Sequence, residues 1–126
     1  MSVNKKIIKT EKAPKAIGVY SQGVETENLI FTSGQIPVDP ETNQMVEGDF
    51  KEQVEIVLSN LKSIIEEGGY KIKDIVKTTV FLRNLSNFKV VNEMYKEFFI
   101  DNFPARSVVE VSALPLNAEI EIEAIC

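Results

Sequence analysis

The stretch from Phe103 to Val111 (Phe-Pro-Ala-Arg-Ser-Val-Val-Glu-Val) places an arginine at the start of a β-branched run. Pro104 disfavours helical backbone at the preceding residue, so a helix must end before it, and the run that follows is typical of a strand. Of the 14 basic residues, only Arg83 and Arg106 are arginines. A guanidinium can hold a carboxylate through two parallel hydrogen bonds, which an ammonium cannot do. Arg106 is therefore a candidate anchor for a small acid; the alternative is an ordinary surface ion pair.

Glu121 is the second candidate for chemistry. It lies in the segment Glu119–Ile125, whose strict alternation predicts a strand with glutamates on one face and apolar residues on the other. Like charges on one strand face favour exposure, so we expect Glu119 and Glu123 to be solvated. Glu121 either shares that environment or holds a water molecule near Arg106. The spacing leaves both possibilities open.

Four further side chains are weaker candidates. Tyr20 follows Gly18 and could be packing, and Ser33 before Gly34 could be a turn hydroxyl. Asn92 lies among apolar residues of a predicted helix, where a buried amide would need partners. Lys77 lies within a predicted strand, and we expect its amine to reach solvent and not to form a Schiff base.

Length and composition limit the possible functions. The chain has 126 residues, no histidine and one cysteine, Cys126, with 44% hydrophobic residues and a net charge of −5. We expect one domain over residues 1–126 in a reducing, cytoplasmic compartment, because one cysteine cannot form an internal disulfide. The negative charge disfavours nucleic-acid binding, and no apolar run is long enough to span a membrane. Without histidine, catalysis would depend on carboxylates, hydroxyls, arginine, lysine, backbone groups and water.

The apolar pattern predicts an α+β domain in the order β-β-β-α-β-α-β-β, with two helices on one face of a mixed sheet. One strand follows Arg106, and the others are expected at residues 5–9, 19–24, 29–33, 75–82 and 119–125. Asp49 is a predicted cap of the first helix, which ends at Gly68-Gly69, and the second helix carries an apolar stripe from Phe88 to Phe99. A polar turn is expected at 25–28 and a polar loop at 37–48.

The strands at 29–33 and 75–82 carry apolar residues on both faces. Two helices can cover only one face of such a sheet, so the other face needs a second copy of the chain. The sequence therefore predicts a closed homo-oligomer, and a three-fold arrangement with the sheets facing a common axis would bury these residues.

Several segments taken together resemble the YjgF/RidA family. The resemblance covers nearly the whole chain, in order and without large gaps, and the most diagnostic segments are Phe-Pro-Ala-Arg-Ser and Thr-Ser-Gly-Gln. The matching segments are Gly18–Gly23, Phe31–Pro37, Asp74–Leu82, Phe103–Ser107, Leu114–Pro115 and Glu121–Glu123.

The resemblance implies a chorismate-mutase-like fold, a homotrimer with a central β-barrel and three clefts between subunits. It also implies hydrolysis of 2-imino acids and their enamine tautomers, such as 2-iminobutanoate and 2-iminopropanoate, to 2-keto acids and ammonia, without a metal or cofactor. Arg106 would hold the substrate carboxylate and Glu121 would position the attacking water. The remaining cleft residues that it implies are Tyr20, Ser33, Gly34, Asn92 and the backbone carbonyl of Val108.

Two positions depart from the family pattern. Val108 stands where many members have cysteine, which excludes a thiol mechanism at that position, and Val19 stands where proline is common. Other functions remain open: a ribonuclease or translation inhibitor, a label that family members have carried, or a metabolite-binding regulatory module without catalysis. The acidic charge disfavours the first. A chorismate mutase on the same fold is a more distant alternative, because two arginines are few for its arginine-rich cleft.

Overall fold

The strands and helices follow the alternating and helical runs of the sequence. The computed structural model describes residues 3–126, and within them it has eight strands, two α-helices and three short 3₁₀ turns. The strands are β1 (Lys6–Ile8), β2 (Gly23–Thr26), β3 (Leu29–Thr32), β4 (Val38–Asp39), β5 (Gln44–Met45), β6 (Lys77–Leu82), β7 (Ala105–Glu110) and β8 (Ile120–Ile125), and the helices are α1 (Phe50–Glu67) and α2 (Phe88–Phe99).

Six strands form one mixed sheet in the order β1-β2-β3-β8-β6-β7, while β4 and β5 form a separate hairpin. All neighbours in the large sheet are antiparallel except β6 and β7, which are parallel and are joined through α2. This is the mixed α+β arrangement that the sequence predicts. β7 lies at the edge of the sheet, and β8 lies near its centre.

Both helices pack on the same face of the sheet. Asp49 caps α1 as predicted, because its Oδ1 accepts a hydrogen bond from the Glu52 backbone N–H at 2.9 Å, a contact of the kind that stabilises a helix by about 1 kcal/mol. Gly69, with a φ of 88°, turns the chain after α1. The core between the helices and the sheet is closed by apolar side chains, among them Ile30, Leu61, Ile64, Val80, Val91 and Ile122.

The opposite face of the sheet, here called the open face, carries no helix in the described part of the chain. Strand register places Ile7, Val24, Phe31 and Ile125 in one row across it. Phe31 is 42% exposed and its neighbour on the same face, Leu29, is 40% exposed. The prediction of apolar residues on both faces of this strand is therefore confirmed, and the oligomer inferred from it stays a prediction.

The second predicted strand is wrong over residues 19–22, since β2 begins only at Gly23. Gly18 has a φ of 122°, and the Gln22 side chain bonds to backbone groups of residues 10–14, so this segment turns instead of pairing. The turn predicted at 25–28 is also shorter. Only Glu27 and Asn28 form it, with φ values of 49° and 66°, as a tight two-residue hairpin loop requires.

The polar loop predicted at 37–48 contains the β4–β5 hairpin. The buried Asn60 side chain on α1 donates a hydrogen bond to the Val38 carbonyl at 2.8 Å and fixes the hairpin to the helix. Strands of two residues leave no periodic signal in a sequence, so pattern analysis misses them. The strand predicted at 75–82 begins two residues later, at Lys77.

Candidate functional site

Arg106 lies on β7, and its side chain points toward α2. The guanidinium Nη1 donates a hydrogen bond to Asn92 Oδ1 at 2.8 Å. The guanidinium carbon lies 5.1 Å from the centre of the Phe88 ring and 5.0 Å from that of the Tyr95 ring. No carboxylate among residues 3–126 forms an ion pair with this half-buried cation, so its remaining N–H groups are available to an anion.

Tyr95 and Phe88 belong to the apolar stripe that the sequence predicts for the second helix, without a role in the site. Tyr95 is buried, and its hydroxyl donates a hydrogen bond to Thr78 Oγ1 at 2.8 Å. Burial raises the pKa of the Tyr95 hydroxyl, while the bond to Thr78 and the charge of Arg106 act in the opposite direction. An aromatic residue one or two turns away from a polar helix residue is the sequence signal that could have indicated this role.

Glu121 lies on the open face and lines a cavity of about 520 Å³. Three other predicted site residues, Tyr20, Ser33 and Gly34, line the same cavity. Burial raises the pKa of Glu121, and the neighbouring Glu123 carboxylate raises it further. A carboxylate with a raised pKa is a stronger base than an exposed one, and therefore better suited to accept a proton from water.

Gly34 leaves the space that the Glu121 carboxylate occupies. A Cβ atom at position 34 would overlap Glu121 Oε2. Ser33 Oγ donates to the Ser21 carbonyl at 2.6 Å, so this hydroxyl also holds the turn together. Tyr20 is 51% exposed, and its Oη accepts a hydrogen bond from the Ile17 N–H at 3.3 Å. The close approach of Gly34 to the carboxylate fits the requirement for glycine at this position.

Gln22 is a further residue of the cavity wall that sequence analysis misses. Its buried amide nitrogen lies within hydrogen-bond distance of the carbonyls of Thr10, Ala13 and Pro14, and its Oε1 accepts from the Thr10 N–H at 2.7 Å. This side chain ties the loop that carries Tyr20 to the segment of residues 10–14. A lone glutamine carries no motif, so only the folded chain reveals the role.

Arg106 and Glu121 lie on opposite faces of the sheet within one chain. In the strand register Arg106 pairs with Thr78, and Thr78 pairs with Ala124, so all three point toward the helices. Glu121 is three residues from Ala124 on β8 and points the other way, because side chains alternate along a strand. Two strand spacings and three residues separate the Cα atoms of Arg106 and Glu121 by roughly 14 Å. The structure thus forms two groups of predicted site residues, Arg106 with Asn92 and Glu121 with Tyr20, Ser33 and Gly34.

Val108 lies on the edge strand β7. The N–H groups of Ala105 and Val111 bond to carbonyls of β6 and its flanking residue, at 3.1 and 2.8 Å. Because backbone groups of alternate residues point to opposite sides of a strand, the Val108 amide and carbonyl point away from β6, toward the free edge of the sheet. This backbone carbonyl is therefore accessible at the free edge of the sheet.

Lys77 lies on the open face, where its Nζ donates a hydrogen bond to Ser107 Oγ at 2.8 Å. It is not among the residues that line the cavity around Glu121. Among residues 3–126 no three His, Cys, Asp or Glu side chains are grouped as metal ligands would be. None of the helices in this part of the chain combines the length and apolar character of a membrane span.

Comparison with known proteins places this geometry in a family. The family model described as Endoribonuclease L-PSP matches residues 10–126. A RutC family protein of Pyrococcus abyssi is 53% identical over 121 residues, which cover 96% of this chain and 95% of the relative. The 2-iminobutanoate/2-iminopropanoate deaminase of Escherichia coli K12 is 53% identical over 123 residues, which cover 95% of each chain.

A solved structure provides the third comparison. The crystal structure of Escherichia coli TdcF with bound serine superposes with a TM-score of 0.92 at 45% identity, covering 96% of this chain and 97% of that one. The agreement extends over nearly the whole length of both chains, and the family model's match to residues 10–126 includes the strands that carry Arg106 and Glu121. This chain therefore belongs to the Endoribonuclease L-PSP family, which is the YjgF/RidA family.

Proposed function

We propose that this protein hydrolyses 2-imino acids to 2-keto acids and ammonia, at a site that two copies of the chain build together. The observation that carries the proposal is the Arg106 guanidinium. It is half-buried, fixed by Asn92 and without a carboxylate partner in the described part of the chain. A desolvated cation with free donors is a site for a small carboxylate.

Arg106 orients the substrate in this proposal. One of the guanidinium N–H groups is used by Asn92, and the planar fork retains enough donors to bind a carboxylate with two parallel bonds. The C=N carbon of a 2-imino acid is the atom next to that carboxylate, so fixing the carboxylate also fixes the reacting carbon. Orientation of this kind contributes to rate because water then attacks within a bound complex.

Glu121 positions the attacking water. Water adds to the C=N carbon of the protonated imine while one water proton passes to the Glu121 carboxylate, which gives a neutral carbinolamine. Glu121 then returns this proton to the nitrogen, ammonia leaves, and the carbinolamine hydroxyl gives up its proton to the solvent as the carbonyl of the 2-keto acid forms. The raised pKa of Glu121 favours the transfer of a proton from water to the carboxylate, and general-base help of this kind contributes about 10²–10⁴-fold.

The site requires two chains because its two groups point to opposite faces of the sheet. We propose that the open face packs against other copies in a closed homotrimer, so that β7 of one copy meets the Glu121 cavity of the next. Exposed Leu29 and Phe31 favour such an association. The name of the Escherichia coli relative, a 2-iminobutanoate/2-iminopropanoate deaminase, and the serine bound to TdcF support a small amino-acid-like ligand.

Coupled turnover tests the proposal. The protein is added to threonine dehydratase and threonine, with semicarbazide present to trap the released imine. We expect faster formation of 2-ketobutyrate and less semicarbazone than in the dehydratase reaction alone. Unchanged levels of both products at a large excess of the protein would contradict the proposed activity.

Two charge-preserving variants provide the matched control. Arg106→Lys keeps the cation but loses the fork, so kcat/KM should fall about 10–100-fold, the effect of losing one charge-assisted hydrogen bond. Arg83→Lys changes the only other arginine, an exposed residue that bonds to Asn117, and should leave kcat/KM unchanged. Equal effects of the two variants would show that Arg106 has no special role.

A ribonuclease is the second candidate, because the matching family model carries the description Endoribonuclease L-PSP. The net charge of −5 disfavours binding to a phosphate backbone. If RNA cleavage co-purifies with the protein, cleavage by Arg106→Ala at the same rate would separate it from this site. Stabilisation by 2-keto acids in a thermal-shift assay without any turnover would indicate a binding module.

A further inference from the structure

We propose that Phe88 and Tyr95 are positioning residues that clamp the Arg106 guanidinium between their rings and aim its free N–H groups at a substrate carboxylate. The two residues are here called the aromatic clamp. The inference rests on the proposed function for its kinetic consequence, but the clamp itself can be tested without any substrate.

The spacing of three residues along α2 builds the clamp. Phe88, Asn92 and Tyr95 are four and three residues apart, so they lie on one face of the helix. Seven residues place Phe88 and Tyr95 roughly 10 Å apart along the helix axis. The guanidinium carbon is 5.1 Å from one ring centre and 5.0 Å from the other, so both rings contact the cation at nearly the same distance. Asn92, between the two rings in sequence, supplies the hydrogen bond at 2.8 Å.

The two rings are held differently. Tyr95 is 4% exposed, and its hydroxyl is fixed by the bond to Thr78, the residue that pairs with Arg106 in the β6–β7 register. The strand that carries the arginine and the strand that fixes the tyrosine are thus adjacent. Phe88 begins α2 and is 38% exposed, so it forms the outer side of the clamp. Burial raises the pKa of Tyr95, so the phenol stays protonated at neutral pH and keeps donating to Thr78.

The clamp explains how a flexible side chain can orient a ligand. A free arginine samples many rotamers, and binding a carboxylate would have to fix them. Two ring faces attract the cation and restrict the plane of the guanidinium, while the amide oxygen fixes the rotation of one N–H group. The N–H edge on the other side is then the one presented to the substrate.

Nuclear magnetic resonance tests the clamp directly, because the chain has only two arginines. In ¹⁵N-labelled protein we expect the Arg106 side-chain signals to be shifted by ring currents and to show slow guanidinium rotation. Phe88→Leu should move these signals toward their ordinary positions and leave those of Arg83 unchanged. Phe98→Leu is the matched control, since Phe98 lies on the same helix but contacts Phe99 instead of the arginine.

Steady-state kinetics test the effect of the aromatic clamp on substrate binding. Losing one ring should raise KM about 5–30-fold through the lost cation–π attraction, with a smaller change in kcat. Tyr95→Phe keeps both rings and loses only the bond to Thr78, so its KM should stay much closer to wild type than that of Tyr95→Leu. Phe98→Leu should lower the unfolding temperature without changing KM. A variant that only loosened the fold would not separate KM from kcat in this way.

The results distinguish the clamp from the proposed function. Shifted, slowly rotating Arg106 signals that respond to Phe88→Leu support the clamp, even if the wild-type protein proves inactive toward imines. Ordinary Arg106 signals that change with neither Phe88→Leu nor Tyr95→Leu overturn it, even if the protein is an active deaminase. An active enzyme whose KM is the same in Phe88→Leu and wild type also overturns it.

Discussion

A mixture of two inactive variants tests whether the site is shared between chains. Arg106→Ala removes the carboxylate anchor, and Glu121→Gln removes the base while keeping the shape of the side chain. The two positions lie on opposite faces of one sheet, with Cα atoms roughly 14 Å apart. Neither variant alone should therefore form a complete site, whatever its assembly state.

Random mixing restores a calculable fraction of activity. If each site takes Arg106 from one copy and Glu121 from the next, it is complete only when a Glu121→Gln chain supplies the arginine and an Arg106→Ala chain supplies the glutamate. In an equal mixture, unfolded and refolded together, this occurs at about one quarter of the sites, independent of the number of copies in a closed ring. Turnover in the threonine dehydratase assay should reach about that fraction of the wild-type value per chain.

The doubly substituted chain, Arg106→Ala with Glu121→Gln, provides the control. Mixed with wild type without exchange, it leaves half of the sites complete; after co-refolding, only about one quarter remain, because both neighbours must be wild type. The activity of the mixed single variants should thus rise, and that of the control mixture should fall, to the same fraction of complete sites. No recovery from the single variants, together with no loss in the control, would refute a shared site and leave the opposite orientation of the two side chains without a function.

Three further results follow from the cavity around Glu121. Gly34→Ala should lower kcat more than it raises KM in steady-state kinetics, because its Cβ would displace the carboxylate, and an unchanged kcat would contradict that contact. Burial and Glu123 raise the pKa of Glu121, so the folded chain loses stability as the pH rises through that raised value. We therefore expect the double variant Arg106→Ala/Glu121→Gln to unfold at a higher temperature than Arg106→Ala alone at pH 7. This difference in unfolding temperature should disappear below the ordinary pKa range of glutamate, and a difference that stays constant with pH would contradict the raised pKa of Glu121. Gln22→Ala removes a side chain with several buried hydrogen bonds and should lower the free energy of unfolding by about 2–4 kcal/mol at fixed protein concentration. Gln44→Ala, at an exposed site, is the control and should change the free energy of unfolding by less than about 0.5 kcal/mol.

The parts of the fold that the sequence predicts are those with long, regular patterns. The alternation of Glu119–Ile125 gives β8 almost to the residue, and Asp49 and Gly69 bound the first helix because capping and left-handed backbone depend on residue type. The apolar residues on both sides of β3 correctly indicate a face without helices. These signals are local, so no tertiary information is needed to read them.

The missed parts depend on contacts between distant segments. Residues 19–22 alternate like a strand but turn, because Gln22 bonds to backbone groups up to 12 residues away. The hairpin in the polar loop is fixed by Asn60 on α1. Phe88 and Tyr95 belong to the predicted apolar stripe of the second helix, of which Tyr95 is buried and Phe88 is 38% exposed, and only the register of β7 against β6 brings Arg106 to them. Sequence patterns do not report which polar group an aromatic ring contacts.

The open face has a consequence for how the protein depends on its own abundance. The contact that would cover Phe31 and Leu29 is also the contact that would complete the catalytic pair. A lone chain would then be both inactive and prone to nonspecific association, and assembly with other copies would give each chain both solubility and turnover. Specific activity measured at increasing dilution should fall together with thermal stability, and half-loss of both should occur at one concentration.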